Sequence, residues 1–365
     1  MHIVMIGGHL TPALATMDEI VKLENDVRIS FVGRKYALEG DTELSNEFKI
    51  MKERGVPFFS IKAGRLQRRF SKHTIPSLLR VPVGFFQSLW ILRSIKPDVV
   101  VSFGGYVAVP VCVAAKILGV RVVTHEQTLV PGLANKIISY FADVIALSFD
   151  FTRKYYEARG KRLVVTGNPI RRDIFELRST MPFGGIDMPM VFVSCGNQGS
   201  HFVNQLVYKH IFEILSFCVV FHQTGKNSLT EDYIQGQRIM NSLPVEFCGR
   251  YIVTDYVGAN DIGAVFARSE LVVSRAGVNT MCDLLALGKK GVMIPGHREQ
   301  EANARFFESL GMGVCLLPGF AEGRFVNVLS DTIAKKIPQS VKKVAMDSVK
   351  QDAALALAKI IVSLR

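Results

Sequence analysis

The sequence predicts an α/β protein of two Rossmann-like, doubly wound parallel-sheet domains facing a cleft, and three observations carry that prediction. Short valine-rich apolar runs alternate with helix-periodic stretches along the chain, as expected for parallel strands covered by crossover helices. Two such runs break at glycine and open at once into a helix-like pattern, VSCGNQGS at 193–200 and SRAGVNTMCD at 274–283. The chain also nearly repeats itself. DVVVSFGGY at 98–106, then an apolar helix, Gly119, a strand and HEQ at 125–127, runs parallel to ELVVSRAGV at 270–278, an apolar helix, Gly288, a strand and HREQ at 297–300. That spacing is too long for a solenoid and fits two domains on one plan.

In chain order, hydrophobic periodicity predicts a strand at 2–6, a helix at 11–24 with Thr11 and Pro12 at its start, a strand at 28–32, a helix at 42–54 and a strand at 57–61. A basic loop leads to a helix at 76–95, a strand at 98–102, a helix at 107–118 and a strand at 121–124. Then come a helix at 131–141, a strand at 143–147, a helix at 150–159 and a strand at 162–165, which Gly167, Asn168 and Pro169 terminate. MPFGG at 181–185 and Pro189 read as a linker. The second half restarts with strands at 190–195, 217–221, 245–248, 252–254, 271–274, 291–294 and 313–316, separated by helices, and closes on a helical pattern at 339–364. The expected domains are 1–172 and 173–339, with a helix from about 340 to 365 crossing back to the first.

At 365 residues and 48% hydrophobic, the chain is long enough to bury two ordinary cores. Its six cysteines lie far apart without a C-x-x-C pair, which points to buried thiols in a reducing compartment rather than to disulfides or zinc. The chain starts directly on a strand, without a basic stretch and apolar h-region, so a cytoplasmic protein is expected. Residues 99–115 carry no charge, but Gly104, Gly105 and Pro110 divide them into strand, turn and short helix rather than a membrane span.

The net charge of +12 is concentrated: residues 54–97 hold nine Lys or Arg and no Asp or Glu. Arg68, Arg69 and Lys72 flank an apolar stretch with Ile75, Leu79, Phe85, Phe86 and the only tryptophan, Trp90. Cations bordering aromatic residues suit a surface lying on anionic lipid; the competing reading is a core stripe with a solvated basic face. No recognised nucleic-acid motif accompanies the charge, so no nucleic-acid partner is expected.

Each glycine motif has two readings. After the first strand, Gly7 and Gly8 allow close approach to backbone, and His9 is either a general base with a near-neutral pKa or a local cap. Gly196 to Ser200 either hold a diphosphate on a helix N-terminus or form a plain turn. The motif G-x-x-x-x-G-K-[ST] is absent, and no Asp-x-Asp is present for a metal-bound diphosphate. Thr280 with Asp283 reads as a capping box or as a ribose contact. Arg171, beside the linker, meets phosphate or is a surface arginine.

Taken together, GGH at 7–9, FGGY at 103–106, HEQ at 125–127, GNPIR at 167–171, Gly196 with Gln198 and Gly199, HQTGK at 222–226, Arg275 with Gly277, and Gln300 with Asn303 and Ala304 resemble, in order, the MurG family of glycosyltransferases. The resemblance spans nearly the whole chain. It implies a GT-B fold and a hexosyltransferase of peptidoglycan synthesis that moves N-acetylglucosamine from UDP-N-acetylglucosamine to a lipid-pyrophosphoryl-linked N-acetylmuramyl-pentapeptide. It also implies no cofactor or metal, the acceptor and membrane on the first domain, the UDP-sugar on the second, and a peripheral place on the cytoplasmic face of the bacterial cell membrane. Donor contacts fall on Gly7, Gly8, Thr128, Arg171, Asn197, Val257, Val278, Asn279, Thr280, Met281, Cys282, Asp283 and Gln300, and the catalytic base on His9. The chain departs from the family pattern in its short first loop, GGH for the family's GGTGGH, and in Thr128, Asn197 and Asp283, where the family has Asn, Ser and Glu. Two alternatives share the pattern: a UDP-N-acetylglucosamine 2-epimerase, which needs further acid/base carboxylates, and a non-catalytic subunit that binds sugar nucleotide or tethers to membrane.

Overall fold

The computed structural model describes residues 1–36, 44–62, 74–180, 182–227 and 229–364, without the side chains of 74–81 and 159. The chain divides into two compact units, Met1–Arg171 with Lys350–Arg365, and Arg172–Val349.

The first unit contains β1 (His2–Ile6), α1 (Leu10–Leu23), β2 (Arg28–Gly33), α2 (Asn46–Glu53), β3 (Phe58–Ser60), α3 (Thr74–Ile95) and β4 (Val99–Ser102). It continues with α4 (Ala108–Ile117), β5 (Arg121–Glu126), α5 (Leu133–Ile138), β6 (Val144–Leu147) and β7 (Arg162–Val165). Its seven strands run in the order β3-β2-β1-β4-β5-β6-β7 with parallel pairing throughout. Strand side chains alternate between faces. Ile3, Met5, Val99, Val101 and Val123 pack under α1, while Val4, Ile6, Val100, Val122 and Ile145 pack under α3 and α4. Both faces are buried, which is why these strands read as continuous apolar runs.

In the second unit follow β8 (Met190–Ser194), α6 (His201–Lys209), α7 (Ile211–Leu215), β9 (Val219–Gln223), α8 (Asp232–Asn241), β10 (Tyr251–Thr254) and α9 (Ala259–Arg268). The remainder is β11 (Ser269–Ser274), α10 (Val278–Ala286), β12 (Lys290–Met293), α11 (Arg298–Ser309), β13 (Gly313–Cys315), α12 (Pro318–Ala334) and α13 (Gln339–Asp347). Six parallel strands run in the order β10-β9-β8-β11-β12-β13. A last helix, α14 (Ala353–Val362), belongs to the first unit, where Leu357, Ala358 and Ile361 join the core beneath α1.

Both sheets reverse their strand order beside their own first strand, at β1/β4 and at β8/β11. Crossovers leave in opposite directions there, so the loops at the carboxyl ends of those strands border a crevice suited to ligands. The two near-repeated runs form β4 and β11, the second strand of each switch point.

Three sequence expectations are corrected. The strand expected at 245–248 is a 3-10 turn at Val245–Phe247, with Val245 88% exposed after Pro244. The helix expected at 150–159 is two 3-10 turns, Asp150–Tyr155 and Glu157–Arg159. The pattern over 339–364 is interrupted between α13 and α14, and only α14 joins the first unit.

Candidate active site

In the first unit the loops after β1 and β4 meet backbone to backbone. A Cβ on Gly8 would stand 2.7 Å from the Gly104 carbonyl, and Gly105, at φ +84°, would place one 2.9 Å from the Gly8 Cα. Any side chain at either position would separate the loops. His9 follows as the N-cap of α1, but its side chain makes no capping hydrogen bond, so the local-cap reading fails. Burial of its imidazole lowers its pKa, which leaves the ring neutral and able to accept a proton at neutral pH.

The HEQ segment ends β5. Glu126 is buried and accepts hydrogen bonds from the Thr128 backbone N–H (3.0 Å), the Thr128 hydroxyl (2.7 Å), the Asn135 amide (3.0 Å) and the Tyr156 hydroxyl (2.8 Å). Burial raises its pKa against the opposing pull of those bonds. The Thr128 hydroxyl also lies 2.7 Å from the Val130 carbonyl, so its single proton is committed within the protein. Toward a ligand, Thr128 offers only a lone pair. His125 donates from Nε2 to the Gly167 carbonyl at 2.9 Å, tying β5 to the loop after β7, and Arg171 stands at the end of that loop.

The second unit holds its phosphate-type loop by equally close packing. Gly199 (φ +71°) would place a Cβ 1.8 Å from the Thr224 carbonyl, and Gly225 (φ +92°) one 2.2 Å from the Gly199 nitrogen. Lys226 N–H donates to the Asn197 carbonyl at 2.9 Å. Gln223 donates to the Gly196 carbonyl at 3.1 Å and accepts from the Val257 N–H at 3.2 Å. One amide thereby fixes the loops that carry Asn197 and Val257. Gln223 was singled out in the sequence only as part of a motif, and this bridging role had no sequence signal, since its partners lie 27 and 34 positions away.

Beneath α6 runs a buried network. His222 binds the Tyr251 hydroxyl (2.9 Å) and the Asn204 amide oxygen (3.0 Å), Asn204 donates to Asp232 (2.9 Å), and Asp232 meets His201 Nδ1 (2.7 Å). Burial alone would raise the Asp232 pKa, but hydrogen bonds from Asn204, Thr230, His201 and Gln205 bring it below the usual carboxylate value.

α10 starts at Val278 behind the N-cap Gly277, so the N–H groups of Val278, Asn279 and Thr280 precede its first i to i−4 bond, made by Met281. Thr280 is therefore the third helical residue and Asp283 the sixth, which rules out the capping box. Met281 and Cys282 are fully buried core side chains. Val257 and Val278 are also buried, at 4% and 5% exposure, and have backbone rather than side-chain polarity to offer. Gln300 accepts from the Gly296 N–H at 2.8 Å, which leaves its NH₂ as the available group. Among the described residues, no three His, Cys, Asp or Glu side chains gather in a way that could hold a metal ion.

Two buried histidines make stability depend on pH. Burial lowers the pKa of His125 to about 4 and that of His222 to about 3, against 6.5 for an exposed ring. The folded state therefore binds fewer protons than the unfolded chain below pH 6.5. Their stabilising contribution is full above that value and is lost on acidification at about 1.4 kcal/mol per pH unit per ring, down to each folded pKa. Urea unfolding at pH 7 and pH 5 is expected to show a marked loss at the lower pH. Equal stability at both would mean that these rings are protonated in the fold.

On α3, Val83, Phe86 and Trp90 are 45%, 65% and 72% exposed, and Arg93 is exposed one turn further on the same face. Phe85 is partly buried and packs against the core cluster that includes Ile91, Leu92 and Val111. Arg68, Arg69 and Lys72 lie outside the described residues, as do the side chains of Ile75 and Leu79. No helix among the described residues is long and apolar enough to cross a membrane.

Comparison with known proteins matches residues 6–147 to the glycosyltransferase family 28 N-terminal domain and residues 190–357 to the glycosyltransferase family 28 C-terminal domain. The chain is 33% identical over 327 residues to the UDP-N-acetylglucosamine–N-acetylmuramyl-(pentapeptide) pyrophosphoryl-undecaprenol N-acetylglucosamine transferase of Clostridium botulinum (strain Loch Maree / Type A3), covering 86% of this chain and 85% of that protein. Among solved structures it resembles MurG of Acinetobacter baumannii, with a TM-score of 0.68 and 21% identity over 99% of both chains. The UDP-GlcNAc 2-epimerase of Neisseria meningitidis, with a TM-score of 0.65 and 12% identity over 100% of this chain and 99% of that one, shares the fold alone.

Proposed function

Because the chain belongs to glycosyltransferase family 28, among the MurG enzymes, we propose that it transfers N-acetylglucosamine from UDP-N-acetylglucosamine to a lipid-pyrophosphoryl-linked N-acetylmuramyl-pentapeptide. The observation that carries the mechanism is His9, a neutral, uncapped imidazole at a switch-point loop. His9 takes the proton of the acceptor hydroxyl as that oxygen attacks the anomeric carbon; the bond from that carbon to the diphosphate breaks with inversion and UDP departs. The negative charge on the departing diphosphate is met by N–H groups at the start of α6 beside Asn197 and by the Arg171 guanidinium. Gly7 and Gly8 keep the backbone near His9 free of side chains. Asn279, Thr280 and the Gln300 NH₂ serve the donor, together with backbone groups of Val257 and Val278. The deciding assay is UDP release from UDP-N-acetylglucosamine with and without the lipid-linked acceptor. Release that needs no acceptor, or sugar isomerisation in its place, would defeat the transfer reading.

Asp283 is assigned to the ribose hydroxyls. With the capping box excluded, Asp283→Ala is expected to weaken UDP binding by roughly 1.5–3 kcal/mol, the range for a hydrogen bond to a charged group. Unchanged UDP affinity in calorimetry, together with a lowered melting temperature, would make it a purely structural carboxylate.

The stripe of Val83, Phe86, Trp90 and Arg93 is assigned to the membrane surface, which suits an acceptor carried on lipid. Arg68, Arg69 and Lys72 add cations worth about 1 kcal/mol each near anionic lipid. Phe86→Ser with Trp90→Ser is expected to abolish most co-sedimentation with anionic vesicles while sparing UDP binding. Full retention on the vesicles would remove the assignment.

A further inference from the structure

Lys226 closes the HQTGK run just beyond β9, and backbone packing fixes where it stands. The preceding Gly225 lies flat on the peptide that joins Gln198 to Gly199: a Cβ there would be 2.4 Å from the Gln198 carbonyl carbon and 2.2 Å from the Gly199 nitrogen. Lys226 N–H then donates to the Asn197 carbonyl at 2.9 Å. The lysine therefore springs from beside the loop at 196–199. Helix α8 begins only at Asp232, so Lys226 caps no helix.

From this anchor the side chain reaches toward the loop after β10. Lys226 is exposed, and its Nζ lies over the Tyr256 ring, 4.8 Å from the centroid. Tyr256 precedes Val257, whose N–H is held by Gln223. One side chain thus spans two loops that serve the same donor. An ammonium carries a full charge and three donors, and a ring face leaves both unsatisfied. Among the described residues Nζ meets that ring and no carboxylate, although Asp255 and Glu231 belong to the same two loops. An exposed cation–π contact is weaker than a charge-assisted hydrogen bond to phosphate, so an arriving phosphate draws the ammonium off the ring. The flexible stem lets the charge move while its backbone anchor stays. Arg171 belongs to the first unit, and the Arg275 guanidinium lies against Gly296 beyond β12. Lys226 is the cation that the second unit fastens to the 196–199 loop itself.

We infer that Lys226 binds the diphosphate of the donor nucleotide, its ammonium passing from the Tyr256 ring to a phosphate oxygen as the nucleotide arrives. It reads the diphosphate and not the nucleoside. This rests on the reading above, which gives the 196–200 loop to the diphosphate of a sugar nucleotide.

The test is Lys226→Met, which keeps the reach of the side chain and removes its charge at an exposed position. UDP affinity by calorimetry at low salt is expected to fall about 10-fold, the equivalent of one charge-assisted hydrogen bond, while uridine affinity by competition changes less than twofold. The gap between wild type and variant should narrow at high salt, because the lost partner is a solvent-exposed charge. Lys226→Arg keeps the charge and should recover most of the lost affinity. Unchanged UDP affinity in Lys226→Met would overturn the inference, and with a lowered melting temperature it would make the lysine only a tie to Tyr256. Equal losses for UDP and uridine would overturn it too, because the lysine would then shape the loop without meeting phosphate. If the wild type binds UDP but transfers no sugar, the glycosyl-transfer reading fails by itself. The UDP and uridine comparison needs no turnover and still decides the role of Lys226.

Discussion

Replacing His9 with alanine is expected to lower turnover by roughly 10² to 10⁴ while UDP-N-acetylglucosamine affinity stays nearly intact, the usual range for loss of a general base. The two readouts separate because His9 belongs to the first unit and the groups assigned to the nucleotide belong mainly to the second. Burial holds the imidazole pKa below its ordinary 6.5, so the wild-type rate should persist into mildly acidic solution and fall only where the ring protonates. An acid limb at or above pH 6.5, or normal turnover in His9→Ala, would remove His9 from the chemistry.

The second large effect is expected from a single methyl group. Gly199→Ala would put a Cβ 1.8 Å from the Thr224 carbonyl on a residue with φ +71°. The loops must then part, and the bonds from Lys226 to Asn197 and from Gln223 to Gly196 stretch with them. Left-handed alanine costs about 1–2 kcal/mol and steric overlap about 1–3 kcal/mol more, so a total near 3 kcal/mol is expected, with UDP binding reduced at least 10-fold. Gly196→Ala is the control. It shares the positive φ (+79°) but has nothing within 4 Å of the added carbon, so only the first cost applies. Equal melting temperatures and UDP affinities for the two variants would show that the close approach is not what holds the loop.

The parts of the fold that were legible in the sequence are those set by local pattern. Val99 to Ser102 and Leu271 to Ser274 are strands because apolar side chains must fill both faces of a parallel sheet, and that requirement appears as an uninterrupted run. Val245 to Phe247 imitated such a run by alternation alone. Its outer valine is in solvent and Phe247 leans on Phe212, at 6.0 Å between ring centroids, so there is no sheet face for it to fill. The break after Asp347 has no glycine or proline to announce it. Lys350 there donates to the Val165 carbonyl at 2.7 Å, a contact 185 positions distant that the local pattern does not contain.

The site divides in the same way. Its glycines and His9 stood out because backbone approach and proton transfer demand particular residue types. The Gln223 bridge, the Glu126 cluster with Asn135 and Tyr156, and the Asp232 network did not, because each is assembled from separate elements. Within 278–283 the run alone does not tell which groups face outward: a helix turns successive residues by about 100°, which buries the Met281 and Cys282 side chains and leaves Asn279 and Thr280 partly open.

The return of α14 to the first unit bears on how the polypeptide matures during translation. Leu357 and Ile361 complete the apolar layer against Met17 and Ile20, so a nascent chain that has reached only Arg171 presents that layer uncovered. Residues 172–349 carry all six strands of their own sheet and can close while still near the ribosome. Until the segment at 353–362 has emerged, the apolar side of α1 around Met17 and Ile20 is expected to stay open to chaperones or to neighbouring nascent chains.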